Sequence, residues 1–414
     1  MTPQDDLDLE ARLRASMRAE ADSLPYAPDL TAGALGRARQ IRRRRRAAAG
    51  LATLGVLAVG IPVGLQVTDL STTPAPPVAS NGGSPTGPRQ LTLDLDALPL
   101  SDRPTVAWSQ DTTLHLDGGP VEAPGKPEDL ERSVAGVVVV TEARIEGMRF
   151  ATIITPDQEM VALQSDNSLL DDVASSTDGG FTAATSAQLS DQGESLPRTR
   201  RTLWLVNAET KDNSTLTLPG PGVATDVVAV SADGAVVVQP LEGEDPGPAV
   251  LVSDADVQTL DVSRVKAWSF EADIFARVTE VTDAGSCSAV RPTDNPISDL
   301  WSTCEWRVEG FSPDGRWAWG VPSYTDGYGP LSIAVLDAAT GEVVREVELA
   351  PQRTEAAILD VSWEAEDRLV LEVVAGGRSA LVRADVLTGH AELATEPLDY
   401  AGSSATDPAP YQVS

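Results

Sequence analysis

Apolar and polar residues alternate in short runs along most of this chain, and Gly, Asp, Asn and Pro break the runs. Period-2 runs bounded by such residues read as half-buried strands. Seven times an apolar strand meets a polar turn and a return strand. The first four are residues 113–121 (TLHLDGGPV), 151–163, 203–218 and 249–262; the others are 287–301, 332–347 (SIAVLDAATGEVVREV) and 379–394. The turns at Asp117 and Leu387 are six hairpins apart, so one period is (387 − 117)/6, about 45 residues. A second series of turns interleaves with the first. Its sharpest member is F-S-P-D-G at 311–315, where Pro313 presets φ and Gly315 supplies a positive φ. S-A-D-G at 231–234 and S-T-D-G at 176–179 repeat it, and the segments beginning at Trp108, Trp268 and Trp363 hold the same place without the glycine.

A period of about 45 residues suits four-stranded propeller blades, each of which buries its apolar faces only against its neighbours. The pattern therefore predicts an all-β, seven-bladed β-propeller over residues 91–400, with six blades as the alternative count. Residues 166–195 and 240–247 are polar and are expected to be loops on the propeller faces. Residues 401–414 are polar and Pro-containing, and read as a disordered tail. Spacing alone leaves open whether residues 91–98 close the ring by pairing into the last blade.

The N-terminal part has a different period. Leu9, Leu13, Met17, Ala21 and Leu24 fall on one stripe of a helix that Pro25 ends. That stripe, Leu9, Leu13 and Met17 above all, is expected to dock a cytoplasmic protein. Arg42 to Arg46 form a block of five arginines, followed at 47–67 by 21 residues without a charge. At 1.5 Å per residue this second segment makes a helix roughly 30 Å long, the thickness of a hydrocarbon core. Arginines before it place the N-terminus in the cytoplasm and the propeller outside. Residues 68–90, rich in Pro, Gly, Ser and Thr, read as a flexible linker. The expected organisation is thus a basic helical segment (1–46), a transmembrane helix (47–67), a linker, the propeller and the tail.

Charge follows this division. The formal net charge of −31 splits into +3 for residues 1–46 and −34 for the remainder. An ectodomain that acidic repels nucleic acid and anionic lipid, so no nucleic-acid partner is expected.

Little in the sequence nominates chemistry. No phosphate-binding loop, nucleophile elbow or H-E-x-x-H motif is present. Cys287 and Cys304 bracket one hairpin on the exported side and are expected to form a structural disulfide. The two histidines, His115 and His390, lie in the first and last hairpins, and are read as structural or solvent-exposed rather than as a shared site. Asp166, Asp171, Asp172, Asp254 and Asp256 lack the ligand order of a calcium loop and are read as turn formers. No cofactor or metal is expected. Trp108, Trp268 and Trp363 recur at one repeat position, which argues for packing between blades. Trp317, Trp319, Tyr324 and Tyr328 are the preferred binding residues, because Trp and Tyr anchor interfaces.

F-S-P-D-G-R-W-A-W-G followed by L-S-I-A-V-L-D-A-A-T-G-E-V-V resembles the repeat of TolB-like and WD-repeat-like bacterial propellers. The whole layout resembles actinobacterial single-pass membrane proteins with an extracytoplasmic propeller. It is also similar in plan to transmembrane anti-sigma factors, but residues 1–46 lack the His and Cys of their zinc-binding motif. These resemblances imply a non-enzymatic propeller, anchored in the cell membrane, that binds a protein or envelope ligand outside and signals to a cytoplasmic partner. The alternative is an extracytoplasmic propeller enzyme of the lyase or glycan hydrolase type.

Overall fold

Seven sheets, each built on four antiparallel strands and two of them carrying a fifth, are arranged as the blades of a propeller. The computed structural model describes residues 89–116, 118–142, 149–163, 168–188, 201–218, 224–241, 246–253, 256–325, 329–351, 356–400 and 410–414. The Leu9/Leu13/Met17 stripe, the arginine block and the 47–67 segment lie outside these residues, as does Tyr328. Among the described residues no helix is long and apolar enough to cross a membrane.

Blades 2 to 7 begin at Pro127–Ser133, Ser168–Ser175, Thr225–Val230, Val265–Ser269, Trp306–Phe311 and Ala356–Ala365, and each continues outward strand by strand. Blade 1 is composite. Its second to fourth strands are Trp108–Gln110, Thr113–Leu116 and Gly119–Glu122, while its first is Tyr411–Val413 from the other end of the chain. The disordered tail expected at 401–414 is therefore corrected at its end. Tyr411 and Val413 are 2% and 4% exposed and pack with Trp108, Val370 and Leu381 between blades 7 and 1. Their burial supplies the driving force that the polar composition of 401–409 hides. Residues 91–98 do not close the ring. Gln90–Leu93 instead adds a parallel fifth strand outside Val343–Leu349 of blade 6.

All seven predicted hairpins are the third-to-fourth-strand hairpins of their blades. The interleaved series forms the first-to-second-strand turns, and its three S-x-D-G members share one hydrogen-bond scheme. In blade 6 the Ser312 hydroxyl donates to Asp314 Oδ1 (2.5 Å) and accepts from Trp317 N (2.9 Å), and Gly315 N donates to Ser312 O (2.8 Å). Ser176 with Asp178 and Ser231 with Asp233 repeat it. Gly315, at φ 68°, lies against Ala272 and Ser269 of blade 5, where a Cβ would collide. Trp108 departs from the series: it is on the second strand of blade 1, whereas Trp268 and Trp363 are on first strands.

Residues 166–195 are largely not a loop. Ser168–Ser175 and Phe181–Gln188 are the first two strands of blade 3. Their buried positions are filled by hydroxyls with partners. Thr185 Oγ1 donates to Thr225 O at 2.6 Å, and Ser186 Oγ accepts from Trp204 Nε1 at 2.8 Å. Such residues look polar in composition yet behave as core once bonded.

The apolar cores lie between blades. Trp317, Leu369, Leu371 and Val382 belong to the cluster joining blades 6 and 7. Arg345, 1% exposed, crosses there too, and its Nε and Nη2 donate to Val386 O at 3.1 and 2.8 Å. Cys287 and Cys304 form the expected disulfide, one step beyond the Ser288–Thr303 pair of blade 5.

Candidate binding site at the upper mouth

The first strands adjoin one another around the axis. Each therefore exposes one row of N–H groups with no further strand to accept them. An unpaired backbone group away from water is costly. Side chains from the preceding blade answer this. Ser175 N donates to Glu131 Oε2 (3.2 Å), Val227 N to Asp172 Oδ2 (2.8 Å), Val265 N to Gln239 Oε1 (3.0 Å) and Val308 N to Ser288 Oγ (3.1 Å). At the ring closure Val413 N donates to Asp360 Oδ2 and Tyr411 N to Glu372 Oε1, both at 3.3 Å. The acidity of the channel thus has a backbone-capping role.

Crowding these carboxyls raises their proton affinity. Burial, then Asp360 and Asp172, pushes Asp129 up to about 7. Burial, then Asp129 and Asp172, holds Glu131 well above the ordinary range. Burial lifts Asp172 to about 6, against the hydrogen bond from Val227, and Asp171 to about 6, against its ion pair with Arg201.

Above this ring, on the face of the first-to-second-strand turns, the channel opens into two cavities. One, of about 240 Å³, is walled by Glu131, Lys266, Trp268, Phe270, Glu271, Glu309 and Phe311. The other, of about 400 Å³, is walled by Arg132, Pro313, Asp314, Arg316, Trp317, Glu364, Glu366 and Asp367. Successive residues line one and then the other: Glu131, Phe311 and Ser312 the first, Arg132, Pro313 and Asp314 the second. The two cavities therefore neighbour each other across the blade 6 turn, and together they are called the groove of the mouth.

Several of its charges are engaged. Glu309 pairs with Arg307, Glu364 with Arg383, and the Arg316 guanidinium lies 4.3 Å from the Trp317 ring. Among the described residues, Glu271, Glu366, Asp367, Arg132 and Lys266 make no side-chain hydrogen bond or ion pair within the propeller. Lys266 acts electrostatically on Asp226. Trp268 stacks on Phe275 at 5.2 Å and tilts against Phe270 at 5.9 Å, which fixes an aromatic wall beside these charges. Fixed aromatics next to charges of both signs that make no close ion pair suit noncovalent recognition.

Of the four aromatic residues preferred from the sequence, the three that are described, Trp317, Trp319 and Tyr324, are not brought together. Trp317 is 2% exposed and packs in the core, contributing an edge to the groove. Trp319 packs against the same core, and its ring lies against Gly310. Tyr324 lies beyond the far end of Trp317–Pro322, 44% exposed, past the Ser323 that meets Gly285 of blade 5. The reason is strand period: Trp317 and Trp319 share a face, and that face is covered by the next blade.

His115 stacks on Trp108 at 3.7 Å, and burial, then Arg103, lowers its proton affinity. His390 lies 4.0 Å from Glu392, so each histidine has its own neighbour. Asp171 and Asp172 serve Arg201 and Val227, and Asp256 caps Val257 N at 3.0 Å. Among the described residues no three His, Cys, Asp or Glu side chains are grouped to hold a metal ion.

Sequence reasoning missed Glu131, Asp360, Glu372 and the Arg383–Glu364 pair, and read Asp172 as a turn former where it lies on a strand and accepts Val227 N. A signal existed. Glu372 sits inside R-L-V-L-E-V-V-A and Arg383 inside S-A-L-V-R-A-D, single charges within buried apolar runs. A charge in such a run needs a built partner.

No protein-family model matches this chain, and no curated protein does. Solved structures similar to it include a propeller domain, peptidases and TolB. The propeller domain of the trilobed protease from Pyrococcus furiosus is 10% identical, over 72% of this chain and 87% of that one, with a TM-score of 0.47. The acylaminoacyl peptidase of Pyrococcus horikoshii is 12% identical, over 68% and 47%, with a TM-score of 0.46. TolB from Acinetobacter baumannii is 12% identical, over 73% and 68%, with a TM-score of 0.36. The chain spans about half the length of the peptidases it matches, 42% of a prolyl endopeptidase and 47% of the acylaminoacyl peptidase. Each is a similarity of fold.

Proposed function

We propose that this protein is a membrane-tethered, extracytoplasmic binding module whose ligand seats in the groove across the upper mouth. The observation that carries this reading is the groove itself. It consists of two neighbouring cavities of about 240 and 400 Å³, edged by a fixed aromatic wall and by charges that make no side-chain hydrogen bond or close ion pair in the described propeller. The inner carboxyls beneath it are bonded to backbone N–H groups, which supports recognition over catalysis. The ligand is a protein or an envelope component. Residues 1–46 pass occupancy to a cytoplasmic partner through Leu9, Leu13 and Met17.

The anchored, exported placement is supported by the arginine block before the uncharged 47–67 segment. The Cys287–Cys304 disulfide fits an oxidising compartment. The test is crosslinking in native membranes, with partners identified on each side. Repeating it with Lys266→Glu/Glu271→Lys should weaken capture of one external partner by about tenfold or more, as loss of a central interface charge does. A partner retained equally by the charge-swapped mouth, or turnover of a substrate by the purified chain, would refute the reading.

A further inference from the structure

The ring-closing strand is held on its inner side by two carboxyl groups. Ser414 N donates outward to Ala107 O at 3.0 Å, and Asp111 N donates to Pro410 O at 2.9 Å, so this edge of Tyr411–Val413 is an ordinary ladder. The N–H groups of Tyr411 and Val413 point the other way, where no strand follows. Glu372 Oε1 and Asp360 Oδ2 accept them. Asp360 and Glu372 are directly opposite partners in the first ladder of blade 7, so the two carboxyls stand side by side on one face.

Their surroundings are unequal. Glu372 is fully buried, and its Oε2 has no hydrogen-bond partner among the described residues. Asp360 keeps partial contact with solvent, and its Oδ1 accepts Val361 N at 2.8 Å. From Pro127–Ser133, Asp129 and Glu131 face Asp360 and add negative potential. Lys126 opposes it at Glu372, and the Ser379 hydroxyl donates to Glu372 Oε1 at 3.4 Å. Asp111 and Glu396 lie near Tyr411, whose hydroxyl donates to Glu396 O at 3.0 Å. Two charged carboxylates side by side in so enclosed and acidic a place repel strongly, and one proton removes that repulsion. A second charge there needs water, and displacing the closing strand is what admits it.

We propose that Asp360 and Glu372 form a proton-dependent latch: one proton carried by the pair keeps Tyr411–Val413 in the ring, and its loss releases the strand and opens the propeller between blades 7 and 1. Burial and Asp360 set the Glu372 carboxyl at about 8, so release belongs to mildly alkaline conditions.

Hydrogen exchange of the purified full-length chain tests this, with rates corrected for the intrinsic pH dependence of exchange. Between pH 6.5 and pH 9, protection of Tyr411–Val413 should fall by about tenfold, since pH 9 is roughly one unit above that ionisation. Val236–Pro240 of blade 4 should keep its protection. Glu372→Gln retains an oxygen for Tyr411 N and has no proton to lose, so its closing strand should stay protected across the range. Asp360→Asn should behave likewise. Unchanged wild-type protection, an equal loss in all blades, or the same loss in a folded Glu372→Gln chain would each overturn the latch. The wild-type measurement decides alone if neither variant folds.

Discussion

Replacing Arg383 by Ala removes the centre of a buried network between blades 7 and 1. Its Nε lies 2.5 Å from Glu364 Oε2 and its Nη2 donates to Glu364 Oε1 at 3.0 Å, a two-pronged pair whose side chains are 9% and 1% exposed. Nη1 reaches Glu392 Oε1 at 2.7 Å and Asp102 O at 3.2 Å, and Nη2 also reaches Arg103 O at 3.0 Å. The network thus ties the segment entering blade 1 to blade 7. Burial alone would push Glu364 up, but the bonds from Arg383 and Thr105 hold it below the usual carboxyl range. Without Arg383, Glu364 keeps Thr105, through its N–H and its side chain, and Arg368, whose Nη1 is 3.8 Å away. Stranding a buried charge in this way costs about 3–5 kcal/mol. At ~2.1 cal/mol/K per residue, a propeller of roughly 330 residues has an unfolding entropy of ~0.7 kcal/mol/K, so the loss lowers Tm by about 4–7 °C. Calorimetry of wild type and Arg383→Ala measures it directly. Arg383→Met combined with Glu364→Gln should recover most of the loss, because no charge is then stranded. A shift under about 1 °C for Arg383→Ala would refute the reasoning.

Other variants probe independent parts of the structure. Cys287→Ser with Cys304→Ser should cost about 2–4 kcal/mol by urea unfolding, and alkylation of the unreduced wild type should find no free thiol. Ser312→Ala removes the hydroxyl that bonds Asp314 and Trp317 N, and should cost about 1–2 kcal/mol, while Ser298→Ala on the exposed blade 5 loop should cost nothing measurable by the same urea unfolding. Gly315→Ala places a Cβ against Ala272 at a positive φ, and should cost about 1–3 kcal/mol in that assay. Asp129 and Asp172, raised from 3.8 to about 7 and about 6, hold their protons longer folded than unfolded. Their contribution is full below pH 3.8 and is lost as pH rises through the folded values. Glu364 and Glu392 lie below 4.5 and act oppositely, losing stability only as pH falls through their own values. The urea midpoint should therefore be higher near pH 5.5 than at pH 8.

The hairpins were legible because each carries local chemistry. Asp337, Asp385 and Asn207 at the start of their turns accept the N–H groups two or three residues on, and the three S-x-D-G turns close through the same side-chain bonds. A period built from such turns gives blades and their number. Ring closure was not legible. It depends on pairing between residue 413 and residue 108, which no local pattern encodes. The first two strands of blade 3 were hidden because Thr182, Thr185 and Ser186 are buried as hydroxyls, and composition treats them as surface. The mouth was misjudged for a related reason. Trp317 and Trp319 look like interface aromatics, yet a propeller covers both faces of a blade, so a conspicuous strand aromatic faces the neighbouring blade. The groove takes its charges from turn and strand-end residues such as Glu271 and Arg132, which carry no distinguishing pattern.

The most direct test of the binding reading is position-specific photocrosslinking in living cells. A photoreactive residue is placed at Lys266 or at Arg132 in the mouth, at Ile297 on the exposed blade 5 loop, or at Tyr324 on the opposite face. The account predicts one saturable adduct from both mouth positions, competed away by excess unlabelled propeller, and none from Ile297 or Tyr324. An adduct that forms from Tyr324 or Ile297 and not from the mouth would contradict it.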